Sequence, residues 1–241
     1  MSILSNLFKR HQPSPEEWAV ALDNHLRLGA FYLEQVFNPA ATAHIAVDLQ
    51  KGYCAPCLPL ENLTEDSRRY HHHAAATLDN ISAFSAELDH SKISQYWLRH
   101  TVDFTKDGFS KGIQNYCSSA HDAKLATFIE NARDLCFCGN TDKIIDKHFR
   151  SGFNGTSLED RLHTENITTV LISGGMRRAC VHETATDAAA KNFRTFIVDD
   201  LTLCHPHQFT AQDRVIDADA LADYNVYHVT SAQVRSLLLK P

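Results

Sequence analysis

Strand-like runs alternate with amphipathic helical segments along most of this chain. The runs cover residues 43–47, 92–99, 143–145, 168–172, 193–198 and 226–229, and apolar residues at helical spacing mark most of the segments between them. Short apolar runs are typical of buried parallel strands, and strand and helix in alternation produce a parallel sheet covered on both faces. The sequence therefore predicts a three-layer α/β/α fold with a mostly parallel, Rossmann-like sheet of six strands.

Residues 1–40 precede the first strand and are predicted to form a helical extension, which leaves residues 41–241 as the main domain. Ser14 followed by Pro15 is typical of a helix start. The apolar residues that follow recur at helical spacing, and we expect a break near Gly29; they are Trp18, Leu22, Leu26, Leu28, Phe31, Leu33 and Val36. We expect this helix to pack on the rest of the chain, with a dimer contact or a cover over the active site as alternatives.

Composition and charge restrict the classes of partner. A chain of 241 residues, 44% of them hydrophobic, suits one full-sized core, and a net charge of −6 without basic clusters predicts no nucleic-acid partner. No apolar run approaches the ~20 residues that span a bilayer, so we expect no membrane partner. Seven cysteines without the dense spacing of a disulfide scaffold indicate a reducing compartment, and we expect the cytoplasm.

Three reactive side chains follow predicted strands. Asp48 comes directly after the run at 43–47, Lys147 closes the third strand, and Cys180 follows Gly174-Gly175 after the fourth. The carboxyl edge of a parallel sheet is where ligands bind, so we expect these groups to meet. Cys180 is predicted in the first turn of a helix, where unpaired N–H groups and the positive helix end stabilise a thiolate. The alternative is a small buried hydrophobic residue.

The chain also resembles a known family at four places. The motifs lie at residues 46–53, 146–158, 174–185 and 198–200, and they occur in the family's order. On these motifs the sequence resembles the isochorismatase-like cysteine hydrolases, a family that includes nicotinamidases, N-carbamoyl amidohydrolases and isochorismatases. The resemblance covers roughly residues 42–230. It implies a hydrolase that cleaves a small non-peptide amide or carbamoyl C–N bond through a thioester-type intermediate.

The resemblance assigns roles to individual residues. It implies a catalytic triad in which Cys180 is the nucleophile, Asp48 takes and returns the proton, and Lys147 supports both by charge. It also implies an oxyanion hole formed by the backbone N–H groups of Met176 and Cys180. The peptide bond between Gly175 and Met176 is expected to be cis, which turns the Met176 N–H into the pocket.

Five residues within the matched motifs are candidate substrate contacts. Gln50, Tyr53 and Phe153 lie in the first two motifs, and Arg177 and Arg178 lie between the glycines and Cys180. Because an arginine fork binds a carboxylate at two points, we hypothesise that the small-molecule substrate is an anionic amide. The alternative is that both arginines face solvent or a neighbouring subunit. Loops over residues 104–140, with a helix at 124–133, are expected to set specificity.

The sequence predicts no metal and no cofactor. Nicotinamidases carry metal ligands in an Asp-x-His pair, and the corresponding positions here are Thr101 and Asp103. Cys54 and Cys57 form a C-x-x-C without the second Cys/His pair of a zinc site, and the histidines at 71–73 point about 100° apart around a helix. We interpret the two cysteines as loop residues and the histidines as a solvated turn of a helix.

Two other functions stay open. An isochorismatase-type hydrolase would cleave a vinyl ether with the aspartate and the lysine, and a catalytically idle member would serve as a binding or regulatory protein. A reactive Cys180 favours the amide reading. By resemblance we also expect a homo-oligomer, either a dimer or a tetramer.

Overall fold

The computed structural model describes residues 13–54, 64–101, 135–136, 143–204 and 210–240. In these ranges it has six strands: β1 (Thr42–Val47), β2 (Ser94–His100), β3 (Ile144–Lys147), β4 (Thr169–Gly174), β5 (Arg194–Thr202) and β6 (Val226–Val229). Its α-helices are α1 (Pro15–Val36), α2 (Lys51–Cys54), α3 (Glu65–His90), α4 (Leu158–Thr164), α5 (His182–Ala190), α6 (Ala211–Ala222) and α7 (Ser231–Leu238). A 3₁₀ turn, Pro39–Ala41, precedes β1, and a π-helical turn, Arg177–Val181, precedes α5. The helix predicted at 124–133 lies outside these ranges.

The strands form one parallel sheet in the order β3-β2-β1-β4-β5-β6, which confirms the predicted fold class. Successive side chains of a strand point to opposite faces of the sheet. Ile45 of β1 and Ile172 of β4 join a core cluster with residues of α4 and α5, whereas Ala46 of β1 and Leu171 of β4 join a second cluster with residues of α1, α3 and α7. Helices therefore cover both faces, as the three-layer prediction requires.

The strand order reverses beside the carboxyl end of β1. The chain continues from β1 to β2 on one side of the sheet, and returns to the other side of β1 with β4. A parallel sheet binds ligands at such a reversal of strand order, because the connections leave the sheet in opposite directions. Asp48 follows β1 at this point, and the turn that carries Cys180 follows β4.

The N-terminal helix is continuous, so the predicted break at Gly29 is wrong. Ser14 caps α1 in a reciprocal capping box with Glu17, and the helix runs from Pro15–Val36 without interruption. Its packed face contains Trp18, Leu22, Gly29 and Leu33. Leu28 and Phe31, which the sequence placed on the packed face, are exposed. The absence of a side chain at Gly29 serves close packing of α1 against β6 and not a kink.

The ends of two elements near the site have local causes. Helix α4 begins at Leu158; before it, Gly155 has φ +67, and Thr156 Oγ1 accepts a hydrogen bond from the Leu158 N–H at 3.2 Å. Strand β3 ends at Lys147, as the sequence predicted. No helix within the described ranges has the length and apolar composition that crossing a membrane requires.

Replacing Gly29 by alanine tests how tightly α1 packs on the sheet. An added Cβ would lie 2.0 Å from the backbone oxygen of His228 on β6. Gly to Ala within a helix ordinarily stabilises by about 0.5–1 kcal/mol, but here we expect Gly29→Ala to lower the free energy of unfolding by about 1–3 kcal/mol. Chemical denaturation measures it. Asn24→Ala, on the exposed face of α1, is the control and should change stability by less than about 0.5 kcal/mol; equal or higher stability of Gly29→Ala would contradict this packing.

Candidate active site

The structure brings Asp48, Lys147 and Cys180 together at the carboxyl edge of the sheet. Asp48 directly follows β1 in the left-handed region (φ 51), which aspartate tolerates better than most residues. Its backbone N–H donates to the Leu98 carbonyl of β2 at 3.0 Å. Lys147 is the last residue of β3, and Cys180 lies in the π-helical turn after β4. Three separate strand ends therefore supply the three groups.

The Lys147 ammonium is buried and fully hydrogen bonded. Its Nζ donates to Asp48 Oδ2 at 2.8 Å and to the carbonyls of Phe149 and Arg150 at 3.1 and 3.0 Å. An ammonium has three N–H donors, so these acceptors satisfy a charged lysine. Burial, the largest single influence, would lower the pKa of Lys147, but Asp48 and Cys180 together outweigh burial and hold that pKa above its ordinary value. The site therefore contains a stable positive charge.

Cys180 is buried against both charged groups. Its thiol lies close enough to the Asp48 carboxylate and the Lys147 ammonium for both to act on its pKa. Burial raises the pKa of the Cys180 thiol well above its usual range, the Asp48 charge raises it further, and the Lys147 charge opposes both. Desolvation and the neighbouring carboxylate therefore act against the thiolate that the sequence predicted, and the Lys147 charge acts in its favour.

The turn between β4 and Cys180 is pressed against the end of β1. Gly174 has φ +100, and a Cβ there would lie 2.2 Å from the Val47 backbone oxygen, so this position requires glycine. The Gly175 N–H donates to the same oxygen at 2.8 Å. The peptide bond between Gly175 and Met176 is cis. No group in the described part of the chain accepts a hydrogen bond from the Met176 N–H, which leaves that donor available for a ligand.

Three of the candidate substrate contacts have partners within the protein. The buried Gln50 side chain clamps the His100 backbone: its Nε2 donates to the carbonyl at 2.9 Å, and its Oε1 accepts from the N–H at 2.7 Å. The Tyr53 hydroxyl lies 3.0 Å from His100 Nδ1. Phe153 is buried in the core cluster that includes Cys180. The centroid of its ring lies 5.9 Å from that of the Phe193 ring. Gln50 thus fixes the ends of β1 and β2 relative to each other.

Arg177 and Arg178 bind carboxylates of their own chain, which removes the basis for the hypothesis that they contact an anionic substrate. Arg177 is buried and forms ion pairs with Asp199 of β5 and Asp217 of α6. Arg178 pairs with Asp217 at 2.7 Å and with Asp213 at 3.1 Å. The alternative of solvent or a neighbouring subunit is wrong for Arg177, since its partners lie in the core.

Sequence reasoning missed these acidic partners. Asp213 and Asp217 are one helical turn apart and therefore lie on one face of α6. Asp199 belongs to the motif at 198–200 and is buried at the end of β5. The sequence does contain a signal for an ion network: two consecutive arginines precede the cysteine, and two carboxylates lie at helical spacing. Only the folded structure shows that these arginines pair with these carboxylates.

The remaining candidates concern metals and cysteines. Asp103 and Cys57 lie outside the described residues, and Thr101 bonds to Lys147 and His148. Among the residues that the structure describes, no three His, Cys, Asp or Glu side chains are grouped to hold a metal. Cys54 is buried, and its thiol contacts that of Cys136.

Comparison with known proteins identifies the family. The isochorismatase domain model matches residues 42–233. The chain belongs to the isochorismatase family. Maleamate amidohydrolase of Pseudomonas putida is 34% identical over 55 residues, which are 23% of this chain and 26% of that protein. N-carbamoylsarcosine amidase of an Arthrobacter species is 41% identical over 54 residues, which are 22% and 20% of the two chains.

The similarity to solved structures extends over nearly the whole domain. A cysteine hydrolase from Pseudomonas syringae pv. phaseolicola superposes with a TM-score of 0.64 at 21% identity, and covers 84% of this chain and 94% of that chain. At this identity the likeness shows the fold. The curated relatives above match only about a quarter or less of their own length, so the family rests on the domain model.

Neutralising Asp48 or Lys147 should shift the titration of Cys180 in opposite directions. The Asp48 charge raises the Cys180 pKa and the Lys147 charge lowers it. We expect the pH of half-maximal alkylation by iodoacetamide to fall by about 1–3 units in Asp48→Asn and to rise in Lys147→Met. Peptide mapping by mass spectrometry follows Cys180 alone.

The matched control is Asp146→Asn, which removes a carboxylate from the residue before Lys147. Asp146 is half-exposed and pairs with Arg99 at 2.6 Å, so its loss should leave the Cys180 profile in place. A shift of the same sign in Asp48→Asn and Lys147→Met would contradict the arrangement. Because Lys147→Met leaves a carboxylate buried, circular dichroism must first show that this variant is folded.

Proposed function

We propose that this protein is a cysteine hydrolase that cleaves a small non-peptide amide or carbamoyl C–N bond through a thioester-type intermediate. The observation that carries the proposal is the 2.8 Å contact between Lys147 Nζ and Asp48 Oδ2, with the Cys180 thiol against both groups. Family membership supports a hydrolase, and relatives named as amidases favour the C–N bond. The carboxyl edge of the sheet beside β1, where the strand order reverses, is the place where a parallel sheet binds ligands.

In the first half-reaction Cys180 attacks the carbonyl carbon. Its proton moves to Asp48 as the S–C bond forms, because only the charged sulfur is a strong nucleophile. Asp48 Oδ2 is held by Lys147, whereas Oδ1 is buried and accepts no N–H or O–H from the described residues. Oδ1 is therefore the oxygen that receives the proton. Asp48 then protonates the departing nitrogen as the C–N bond breaks, and the amine leaves.

The tetrahedral intermediate requires donors that are fixed before the reaction. The Met176 N–H, which has no acceptor among the described groups, and the Cys180 N–H are proposed to hold the oxyanion. In the second half-reaction a water attacks the thioester, gives its proton to Asp48, and expels the sulfur. The thiol regains that proton, and the carboxylic or carbamic acid leaves.

The proposal contains no requirement for an anionic substrate. Arg177 and Arg178, the residues that suggested one, are occupied by Asp199, Asp213 and Asp217. If the substrate is charged, groups other than these two arginines must bind that charge.

Two further expectations belong to the proposal. We propose that the protein acts in the cytoplasm, which fits the free thiols of Cys54, Cys136, Cys180 and Cys204. We also propose a homo-oligomer. Light scattering after size-exclusion chromatography would show a mass near 27.1 kDa if the chain were instead monomeric.

A substrate panel with cysteine variants tests the function. Small amides, carbamoyl compounds, ureas and isochorismate are incubated with the protein, and we expect turnover of at least one C–N substrate. Cys180→Ala should lower kcat at least about 10³-fold, because it removes the nucleophile. Intact-mass spectrometry of the rapidly quenched reaction should show the acyl adduct on Cys180.

Cys136→Ala is the control, since it removes a half-buried thiol that the mechanism does not use. Isochorismate cleavage that survives in Cys180→Ala would support the vinyl ether reaction instead. No turnover and no adduct with any compound would leave the idle binding member as the better account.

A further inference from the structure

We infer that Arg177 and Arg178 are positioning residues, whose guanidinium groups clamp the π-helical turn onto β5 and α6 and so fix the Met176 N–H relative to the Cys180 sulfur. This inference rests on the proposed function, because it concerns the same thiol and the same oxyanion donor. It gives the two arginines a role at the site that does not involve contact with the substrate.

Arg177 anchors the start of the turn in the core. Its side chain is only 4% exposed, and its guanidinium contacts Asp199 and, at 3.2 Å, Asp217 Oδ2. Asp199 also binds Arg214 of α6 and accepts a hydrogen bond from His228 Nδ1 at 3.0 Å. Because carboxylates on two different elements bind the Arg177 side chain, it can adopt few conformations. This restricts the position of the Arg177 backbone at the start of the turn.

Arg178 makes a second attachment, which shares Asp217 with the first and adds Asp213. Its Nε donates to Asp217 Oδ1 at 2.7 Å, and its Nη2 donates to the backbone oxygen and the Oδ1 of Asp213 at 3.2 and 3.1 Å. Arg178 is also where the turn departs from helical geometry, with φ −85 and ψ 16. Two consecutive attachments define both the position and the rotation of the turn.

The backbone transmits this restraint to the reacting groups. The Arg177 N–H donates to the Leu203 carbonyl at 2.8 Å, and the Leu203 N–H donates to the Gly174 carbonyl at 2.8 Å. The Met176 carbonyl accepts from Ala179 and Val181 at 3.0 and 3.2 Å. Met176 directly precedes Arg177, and Cys180 lies between Ala179 and Val181. A displacement of Arg177 would therefore move the donor and the nucleophile relative to each other.

The arginine and aspartate side chains around the turn carry balanced charges. Arg177, Arg178 and Arg214 face Asp199, Asp213 and Asp217. Burial and the Arg177 charge lower the pKa of His228 to about 3, so this imidazole is neutral. Replacing a buried ion pair with apolar residues is often neutral or stabilising, so we assign this network a role in geometry rather than in stability. The charged groups with the largest effect on the Cys180 pKa are Asp48 and Lys147.

Two reagents that modify the same thiol separate positioning from general damage. p-Nitrophenyl acetate acylates Cys180: an S–C bond forms, the C–O bond breaks, p-nitrophenolate leaves with its electron pair, and the thiol proton goes to Asp48. That route passes through an oxyanion. Iodoacetamide alkylates the thiol by direct displacement of iodide and has no oxyanion. Only the first reaction needs the Met176 N–H in place.

The main variant is Arg177→Met, and its matched control is Arg214→Met. Asp199 keeps Arg214 and Asp217 keeps Arg178 when Arg177 is replaced, so no carboxylate loses every partner. Arg214→Met removes the same charge from the same carboxylate but lies outside the turn. Arg178 is about one-third exposed, and Arg178→Met is the second test variant because that position tolerates substitution more readily.

We expect Arg177→Met to lower the rate of Cys180 acylation about 10- to 100-fold and to leave its alkylation rate within about twofold. Arg178→Met should show the same split, and Arg214→Met should leave both rates within about twofold. Cys180→Ala corrects for other thiols, and peptide mapping locates the adducts.

Equal loss of both reactions in Arg177→Met and Arg178→Met, or no loss of acylation, would overturn the inference. Neither reagent is the natural substrate, so the result can be read even if no amide in the panel is hydrolysed. Failure of the panel would then count against the proposed function alone.

Discussion

The buried ion pair between Lys147 and Asp48 is the interaction on which the site depends. Removing two charges from water costs several kcal/mol per ion, and the cost is offset only when hydrogen bonds complete the coordination. Here the Phe149 and Arg150 carbonyls complete that of Lys147. The pair joins the ends of β1 and β3 across the intervening β2, to which the Asp48 N–H is bonded. The sheet must therefore form before the pair can exist.

This pair also decides how the neighbouring thiol can act. Cys180 lies beside a positive and a negative charge whose effects on its pKa oppose each other, while burial favours the neutral form. In the proposed mechanism this thiol stays protonated until a substrate arrives, and Asp48 takes the proton in the same step. Reactivity then depends on geometry at the moment of attack, more than on a thiolate formed in advance.

Local pattern predicted the sheet and the three strand ends well, because apolar periodicity and glycine breaks are properties of short segments. Asp48, Lys147 and Cys180 could be grouped from the positions at which strands end. The orientation of Arg177 could not, since its partners Asp199 and Asp217 lie in elements that meet it only in the folded chain. The continuity of α1 was not predicted for a similar reason. Gly29 is required by close packing against the His228 carbonyl, and His228 is far from Gly29 in the sequence.

Two ion networks therefore border the turn that carries Cys180, and they differ in what they can do. Lys147 and Asp48 lie beside the thiol and act on its pKa in opposite directions, so the proposed mechanism assigns them to the chemistry. Arg177 and Arg178 bind carboxylates of β5 and α6, and the charged groups with the largest effect on the Cys180 pKa are Asp48 and Lys147. Because a displacement of about 1 Å at reacting groups can cost about 10²-fold in rate, a rigid anchor behind the nucleophile matters as much as the charges in front of it. Consecutive arginines before the cysteine are the local signature of that anchor.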